Sequence, residues 1–152
     1  MVEEVNLNTR GRYAVMAMVE LASRHSDNPV PLSDIAAKRK ISLSYLEQLF
    51  AGLRKHGLVT ANRGPGGGYA LAKPLSDIMI ADILIAAEDS TPARRELRKS
   101  EVGMTDDCPS RDLWTRVGRM MHDYMAHISL EDIMTNRLAK LTSPGQSAKK
   151  TA

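Results

Sequence analysis

Four side chains in one short stretch could read the edges of a nucleic acid. In Ile41-Ser-Leu-Ser-Tyr-Leu-Glu-Gln-Leu-Phe-Ala-Gly-Leu-Arg-Lys55, helical spacing puts Ser44, Glu47, Gln48 and Lys55 on one side with Ala51. They offer a hydroxyl, a carboxylate, an amide and a cation within four turns. Leu43, Leu46, Leu49, Phe50 and Leu53 recur on the other side, which predicts a buried stripe. A carboxylate accepts from cytosine and an amide pairs with adenine, so Glu47 and Gln48 are suited to base edges in a major groove. On an isolated helix the same stripe is ordinarily a solvated face. The neighbouring elements decide between the two.

Upstream, Thr9 is placed to cap a helix running to about Arg24, with Val15, Met18, Leu21 and Ala22 inward. His25-Ser-Asp-Asn-Pro29 is a loop. From Leu32 a short helix with Ser33 as its cap reaches Arg39, and a tight turn at Lys40-Ile41 leads into the polar-faced helix. Ser42 or Ser44 caps that helix, Ser44 and Glu47 having capping-box spacing. A short helix, a turn of three or four residues and a longer helix make a helix-turn-helix over about 32–55. Downstream, Gly57 can end the longer helix. Leu58-Val-Thr-Ala-Asn62 and Tyr69-Ala-Leu71 then read as strands around Arg63-Gly-Pro-Gly-Gly-Gly68, a wing over about 58–71. Glycines such as Gly66 let that loop approach a phosphate backbone, and Arg63 can enter a narrow minor groove. A plain Gly-rich hairpin is the simpler alternative. A nucleotide-phosphate loop fits poorly, because no Gly-Lys-Ser/Thr follows and no long helix opens from it.

The second half has a different texture. Asp77-Ile-Met-Ile-Ala-Asp-Ile-Leu-Ile-Ala-Ala87 is strongly apolar and mostly helical in pattern, whereas 88–107 is a polar tract expected to be a long loop. After Cys108-Pro-Ser110, the residues Leu113, Trp114, Val117, Met120, Met121, Tyr124, Met125 and Ile128 step by three and four. One face would be apolar for roughly 25 Å at 1.5 Å per residue. A small winged domain cannot cover that length, so self-association is the natural use, with packing on the first helix as the alternative. Ser129-Leu-Glu-Asp-Ile-Met134 restarts a short helix. The expected fold is mainly α with a small β-hairpin: a winged helix-turn-helix over 6–87, a sensing loop over 88–107, a dimerisation helix and short terminal helix over 108–137, and a disordered tail over 142–152.

Composition narrows the function classes. A chain of 152 residues that is 43% hydrophobic, with nine Met and only 4% aromatics, suits a small Leu/Ile/Met-packed helical protein. Net charge is +3, yet residues 5–74 alone hold ten Lys/Arg against four Asp/Glu, a net +6. That basic half suits a polyanion such as double-stranded DNA. No apolar run approaches the ~20 residues of a membrane span. The Met-Val-Glu-Glu start lacks a secretion signal's basic flank and apolar core. A single Cys excludes an internal disulfide framework. A cytoplasmic protein is expected, with no membrane and no small-molecule substrate. No catalytic triad spacing, metal-hydrolase motif or nucleotide loop is present, so an enzyme is not expected.

Taken together, Gly11-Arg-Tyr-Ala14, Ile41 to Phe50, Leu53-Arg-Lys-His-Gly-Leu-Val59 and Arg63-Gly-Pro-Gly-Gly-Gly-Tyr69 resemble the IscR-type winged-helix transcription regulators. These are bacterial sensors of iron–sulfur cluster status, with relatives that sense nitric oxide, iron or cysteine supply. The likeness covers residues 6 to about 135. It implies a homodimer whose crossed long helices place two recognition helices in successive major grooves, on half-sites about 34–36 Å apart. By analogy Ser44, Tyr45, Glu47 and Gln48 sit at the DNA, with Glu47 and Gln48 reading bases and Arg63 in the minor groove.

The loop departs from the family pattern. Cluster-binding members carry three cysteines there at about six-residue steps, with a His three residues beyond the last. Here Cys108 matches the last cysteine, while the earlier steps fall on Val102 and Glu96 and the His position is Arg111. An iron–sulfur cluster normally wants four ligands, mostly Cys. Oxygen and imidazole candidates are Glu96, Asp106, Asp107, His122 and His127, each of which also reads as an ordinary solvated residue. Asp106 and Asp107 would raise the Cys108 pKa, whereas the helix N-terminus beyond it pulls the other way. The leading expectation is a dimeric repressor of iron–sulfur assembly or iron-responsive genes, one of whose two sensing variants is an iron–sulfur cluster of unusual ligation with Cys108 as its only thiolate. The alternatives are a metal-free repressor that senses redox state through Cys108, and a winged-helix module that docks proteins rather than DNA.

Overall fold

The first helix, α1 (Thr9–Ser23), turns a face of small and flexible side chains inward: Ala14, Ala17, Met18, Leu21 and Ala22 are all buried. Small residues let a partner helix come close. That partner is α4 (Ile80–Glu88), which buries Ile80, Ala81 and every residue from Ile83 to Ala87. A helix apolar nearly all round belongs in a core, and α4 is packed between α1 and the helix α3 (Leu43–Lys55). A computed structural model describes residues 9–24, 28–90 and 109–138, to which all that follows refers.

Between α1 and α3 lies α2 (Leu32–Arg39), which sets Leu32, Ile35 and Ala36 against the core. It starts one residue before Ser33, directly after Pro31, so Ser33 lies inside the helix and is not its cap. Proline's fixed φ already presets the entry, and no side chain caps it. Lys40, in the left-handed conformation at φ 54°, closes α2, and the Ile41 amide donates to the Ala36 carbonyl at 3.0 Å. The turn to α3 is thus three residues, Lys40 to Ser42. Ser42 caps α3, its hydroxyl accepting from the Tyr45 amide, while Ser44 stays on the surface. At the other end Gly57 takes φ 73°, the Gly57 amide donates to Arg54 and the Leu58 amide to Leu53, each at 3.0 Å. That is a Schellman stop, with buried Leu53 and Leu58 as its apolar pair.

Strands β1 (Val59–Asn62) and β2 (Gly68–Leu71) pair antiparallel with Val59 opposite Leu71 and Asn62 opposite Gly68. A 3₁₀ turn (Leu75–Asp77) then leads through extended Ile78-Met79 into α4. Helix α5 (Arg111–Met125) is followed by α6 (Leu130–Met134), which opens on a capping box made by Ser129 and Asp132.

Besides Ser33, three sequence expectations change. Val15 is only half-buried, because Ala14 and Ala17 take the innermost positions of α1. Leu43, expected in the buried stripe, is 42% exposed: it is the first residue of α3, ahead of the point where the helix meets the core. Ile128 does not extend the long helix. The chain leaves the helix at Met125, and Ile128 is buried where Met79 and Ser129 form an antiparallel bridge. The Ile80 amide donates to the Ile128 carbonyl at 2.9 Å and the Leu130 amide to the Ile78 carbonyl at 2.8 Å. Those backbone bonds satisfy groups that would otherwise be buried alone.

Candidate nucleic-acid interface

The outer stripe of α3 stands where its sequence places it. Ser44, Glu47, Gln48, Ala51 and Lys55 are all exposed, while Leu46, Leu49, Phe50 and Leu53 are fully buried on the reverse side. The helix is therefore clamped by one face and free on the other. Its fixation is unusually close at Gly52, where an added Cβ would lie 2.4 Å from the Ala86 carbonyl oxygen and 2.9 Å from Ser90 Cα.

The hairpin is held beside it by two contacts. Val30, just ahead of α2, exchanges both backbone hydrogen bonds with Tyr69, at 2.9 and 2.8 Å, adding a third strip of backbone to the wing. Tyr69 in turn meets Phe50 of α3 edge-on, with ring centroids 4.9 Å apart. Gly68 is needed there because a Cβ would fall 2.4 Å from the Val30 backbone. Beyond these anchors Arg63, Gly64, Pro65 and Gly66 are exposed, and Gly64 and Gly66 have φ of 95° and 74°. A rigidly based loop with an exposed guanidinium thus flanks an exposed polar helix face.

Tyr45 differs from the other candidates. It is half-buried, its ring edge-on to Tyr13 at 5.8 Å, and the Arg10 guanidinium lies 5.4 Å from its centroid. Tyr45 is thus seated against α1. Arg10 itself is buried, its Nε donating to the Ala87 carbonyl and the Ser90 hydroxyl, each at 2.9 Å.

A second buried charge lies at the far end of α1. Glu20 is 1% exposed and receives Lys38 Nζ at 2.6 Å, Arg39 Nη2 at 2.8 Å and Arg24 Nε at 3.2 Å. Lys38, donating to the Glu20 carboxylate, is the largest cause of a pKa lowered to about 2; burial opposes it, and Arg24 and Arg39 reinforce it. Two of these cations belong to α2, so the network rivets the helix-turn-helix to α1. Neither Arg10 nor Glu20 stood out from the sequence as more than surface charge. The available signal was position: Glu20 lies three residues from Ala17 and one from Leu21, on an otherwise apolar face, and an inward charge requires partners.

Of the metal candidates, only His122 and His127 fall among the described residues. Cys108, Glu96, Asp106 and Asp107 lie outside the described residues. His122 is half-buried, its Nδ1 3.7 Å from Asp123 Oδ1; His127 is exposed, its Nδ1 2.6 Å from the Asp123 carbonyl oxygen. Among the described residues no group of three or more His, Cys, Asp or Glu could hold a metal ion. With the usual cysteines also missing from the sequence, the described donors do not fit an iron–sulfur cluster.

Along α5 the apolar residues divide. Met121 and Met125 pack inward, whereas Leu113, Trp114, Val117, Met120 and Tyr124 are exposed, Trp114 by 64% and Met120 by 70%. No helix among the described residues is long and apolar enough to cross a membrane.

Residues 7–136 match the family model Rrf2, described as iron-dependent transcriptional regulator. The HTH-type transcriptional regulator IscR of Photorhabdus laumondii is 42% identical over 133 residues, covering 88% of this chain and 81% of that one. Its namesake in Yersinia enterocolitica is 41% identical over the same shares. Among solved structures, T. potens IscR superimposes with a TM-score of 0.67 at 33% identity, over 93% of this chain and 94% of that one. CymR, the global cysteine regulator of B. subtilis, gives 0.66 at 32% identity, over 87% and 98%.

Proposed function

The chain belongs to the Rrf2 family of iron-dependent transcriptional regulators, and from that premise we propose that it binds a two-fold DNA operator as a homodimer and represses iron–sulfur assembly or iron-responsive genes. The observation that carries the DNA reading is the exposed stripe Ser44, Glu47, Gln48, Lys55 on a helix whose reverse face is fully buried, with the wing locked beside it through Tyr69. In this reading Glu47 and Gln48 meet base edges, Ser44 and Lys55 meet phosphates, and Arg63 enters the adjoining minor groove from a wing whose Gly66 admits the backbone. Tyr45 supports that face from behind.

The exposed row Leu113, Val117, Met120, Tyr124 steps by four, three and four, the spacing of a coiled-coil seam, and supports self-association through α5. A dimer built there would present two α3 helices to half-sites about one helical turn apart. Because the described donors do not fit a cluster, no regulatory step is assigned to one. Signal reception through Cys108 thiol chemistry needs no further cysteine.

The test is a fluorescence-anisotropy titration against a panel of duplexes. Glu47→Ala should change which base is preferred at one position, where a good contact discriminates by about 1–3 kcal/mol. Lys55→Ala should weaken all duplexes alike and reduce the salt slope by about one. Equal affinity of the wild-type protein for every duplex would remove the claim of sequence specificity.

A further inference from the structure

Arg10 is 9% exposed, and a guanidinium held that far from water must be hydrogen-bonded where it lies. What the guanidinium does there is specific. Its Nε reaches the Ala87 carbonyl and the Ser90 hydroxyl at 2.9 Å each, and its Nη2 also donates to Ser90 Oγ. These bonds fix the fork against the C-terminal end of α4, and the fork lies over the ring of Tyr45. Tyr45 belongs to the first turn of α3, beside Ser44 and just ahead of Glu47 and Gln48. Seven residues along, Gly52 presses directly on Ala86 and Ser90. The base-facing helix thus meets the C-terminal end of α4 directly at Gly52, and the Arg10 fork links that same end to Tyr45.

We infer that Arg10 is a positioning residue for sequence recognition: without touching DNA, it sets the angle at which the first half of α3 presents Glu47 and Gln48. The inference rests on the DNA-binding reading above. Bidentate contacts to base edges tolerate little displacement, whereas phosphate contacts through flexible cations tolerate more. Loosening Tyr45 therefore costs specificity before it costs affinity for DNA in general. A planar, fixed fork is required for this, which a lysine point charge reproduces only in part.

The experiment compares Arg10→Met, Arg10→Lys and Ser90→Ala with wild type. The probes are a duplex that the wild-type protein selects from a randomised pool and its scrambled counterpart, each titrated over a range of salt concentrations. Arg10→Met is expected to lower the ratio of selected to scrambled affinity at least tenfold, with scrambled binding and the salt slope unchanged. Arg10→Lys should recover part of the loss, and Ser90→Ala should lower the ratio about threefold. An unchanged ratio in Arg10→Met overturns the inference. So does an equal loss on both duplexes with a salt slope reduced by one, which marks Arg10 as a phosphate contact. If Arg10→Met does not fold, Ser90→Ala carries the test by the same criteria. A wild-type protein that enriches no duplex from the pool refutes the DNA-binding reading itself, an outcome separable from all of these.

Discussion

Replacing Glu20 by Gln should destabilise the protein, by an amount that shrinks as the solution is acidified. The carboxylate is 1% exposed and meets three cations at 2.6–3.2 Å, which lowers its pKa from 4.5 to about 2. A folded pKa below the unfolded one means that the group stabilises the fold above pH 4.5, and that this contribution fades as pH falls toward 2. A gap of about 2.5 units at ~1.4 kcal/mol per unit gives on the order of 3 kcal/mol at neutral pH. The amide keeps the shape and one acceptor but leaves Lys38, Arg39 and Arg24 facing each other. Because their side chains are 54%, 38% and 31% exposed, they can turn to water, so the loss should not exceed that figure.

Urea unfolding of wild type and Glu20→Gln, run in parallel from pH 7 to pH 2, isolates the effect. Every other carboxylate titrates in both proteins and cancels in the difference. That difference should be on the order of 3 kcal/mol at pH 7, begin to fall below about pH 4.5 and be nearly gone at pH 2. Added salt should shrink it, since the cations stand partly in solvent. A difference that stays constant across this range would refute the reasoning, because the stabilisation would then come from packing and not from charge.

Gly52→Ala forces a methyl group onto the Ala86 carbonyl and Ser90 Cα, both backbone, so α3 and α4 must separate. A loss of about 1–3 kcal/mol in urea unfolding is expected, with weaker selection among duplexes; an unchanged midpoint would show that the helices already slide freely. Met120→Glu, at a position 70% exposed, should leave the helical circular dichroism intact and shift sedimentation from dimer to monomer. A wild type that sediments as a monomer would dismiss the proposed seam. Protein purified anaerobically should show no visible charge-transfer absorption and no stoichiometric iron or sulfide. Bands that vanish in Cys108→Ala would instead establish a cluster and direct the search to Asp, Glu and His ligands.

The elements of the reading head were legible because each rests on a local rule. The apolar period placed Leu46, Leu49, Phe50 and Leu53 inside and Glu47 and Gln48 outside, and Gly57 stopped the helix where its φ of 73° requires. Local rules also mark the errors. Ser33 has the chemistry of a cap, but Pro31 had already set the entry to α2. Ile128 continues the three-and-four spacing of α5, yet backbone pairing with the segment around Met79 removed it from that helix. Such pairing joins residues 50 positions apart, and no window of helical period contains it. The seat of Tyr45, which only the resemblance placed at the DNA, was not legible either, because its neighbours Tyr13 and Arg10 lie in another helix.

The two buried charges of α1 have a common logic. A helix with only Ala, Met and Leu inward could slide or rotate against α4 at little cost, since dispersion contacts are weakly directional. Hydrogen-bonded charges are directional, and burying them without their partners is expensive. Glu20 fixes α1 to α2 through Lys38 and Arg39, and Arg10 fixes the opposite end of α1 to α4 and to Tyr45 of α3. One helix is thus pinned at both ends to the two helices of the DNA-reading unit. On the proposed reading, in which Glu47 and Gln48 are held in register with base edges, that pinning contributes more than a few further buried methyl groups would. The same logic accounts for an inward-facing arginine and an inward-facing glutamate in a helix that apolar residues alone could have packed.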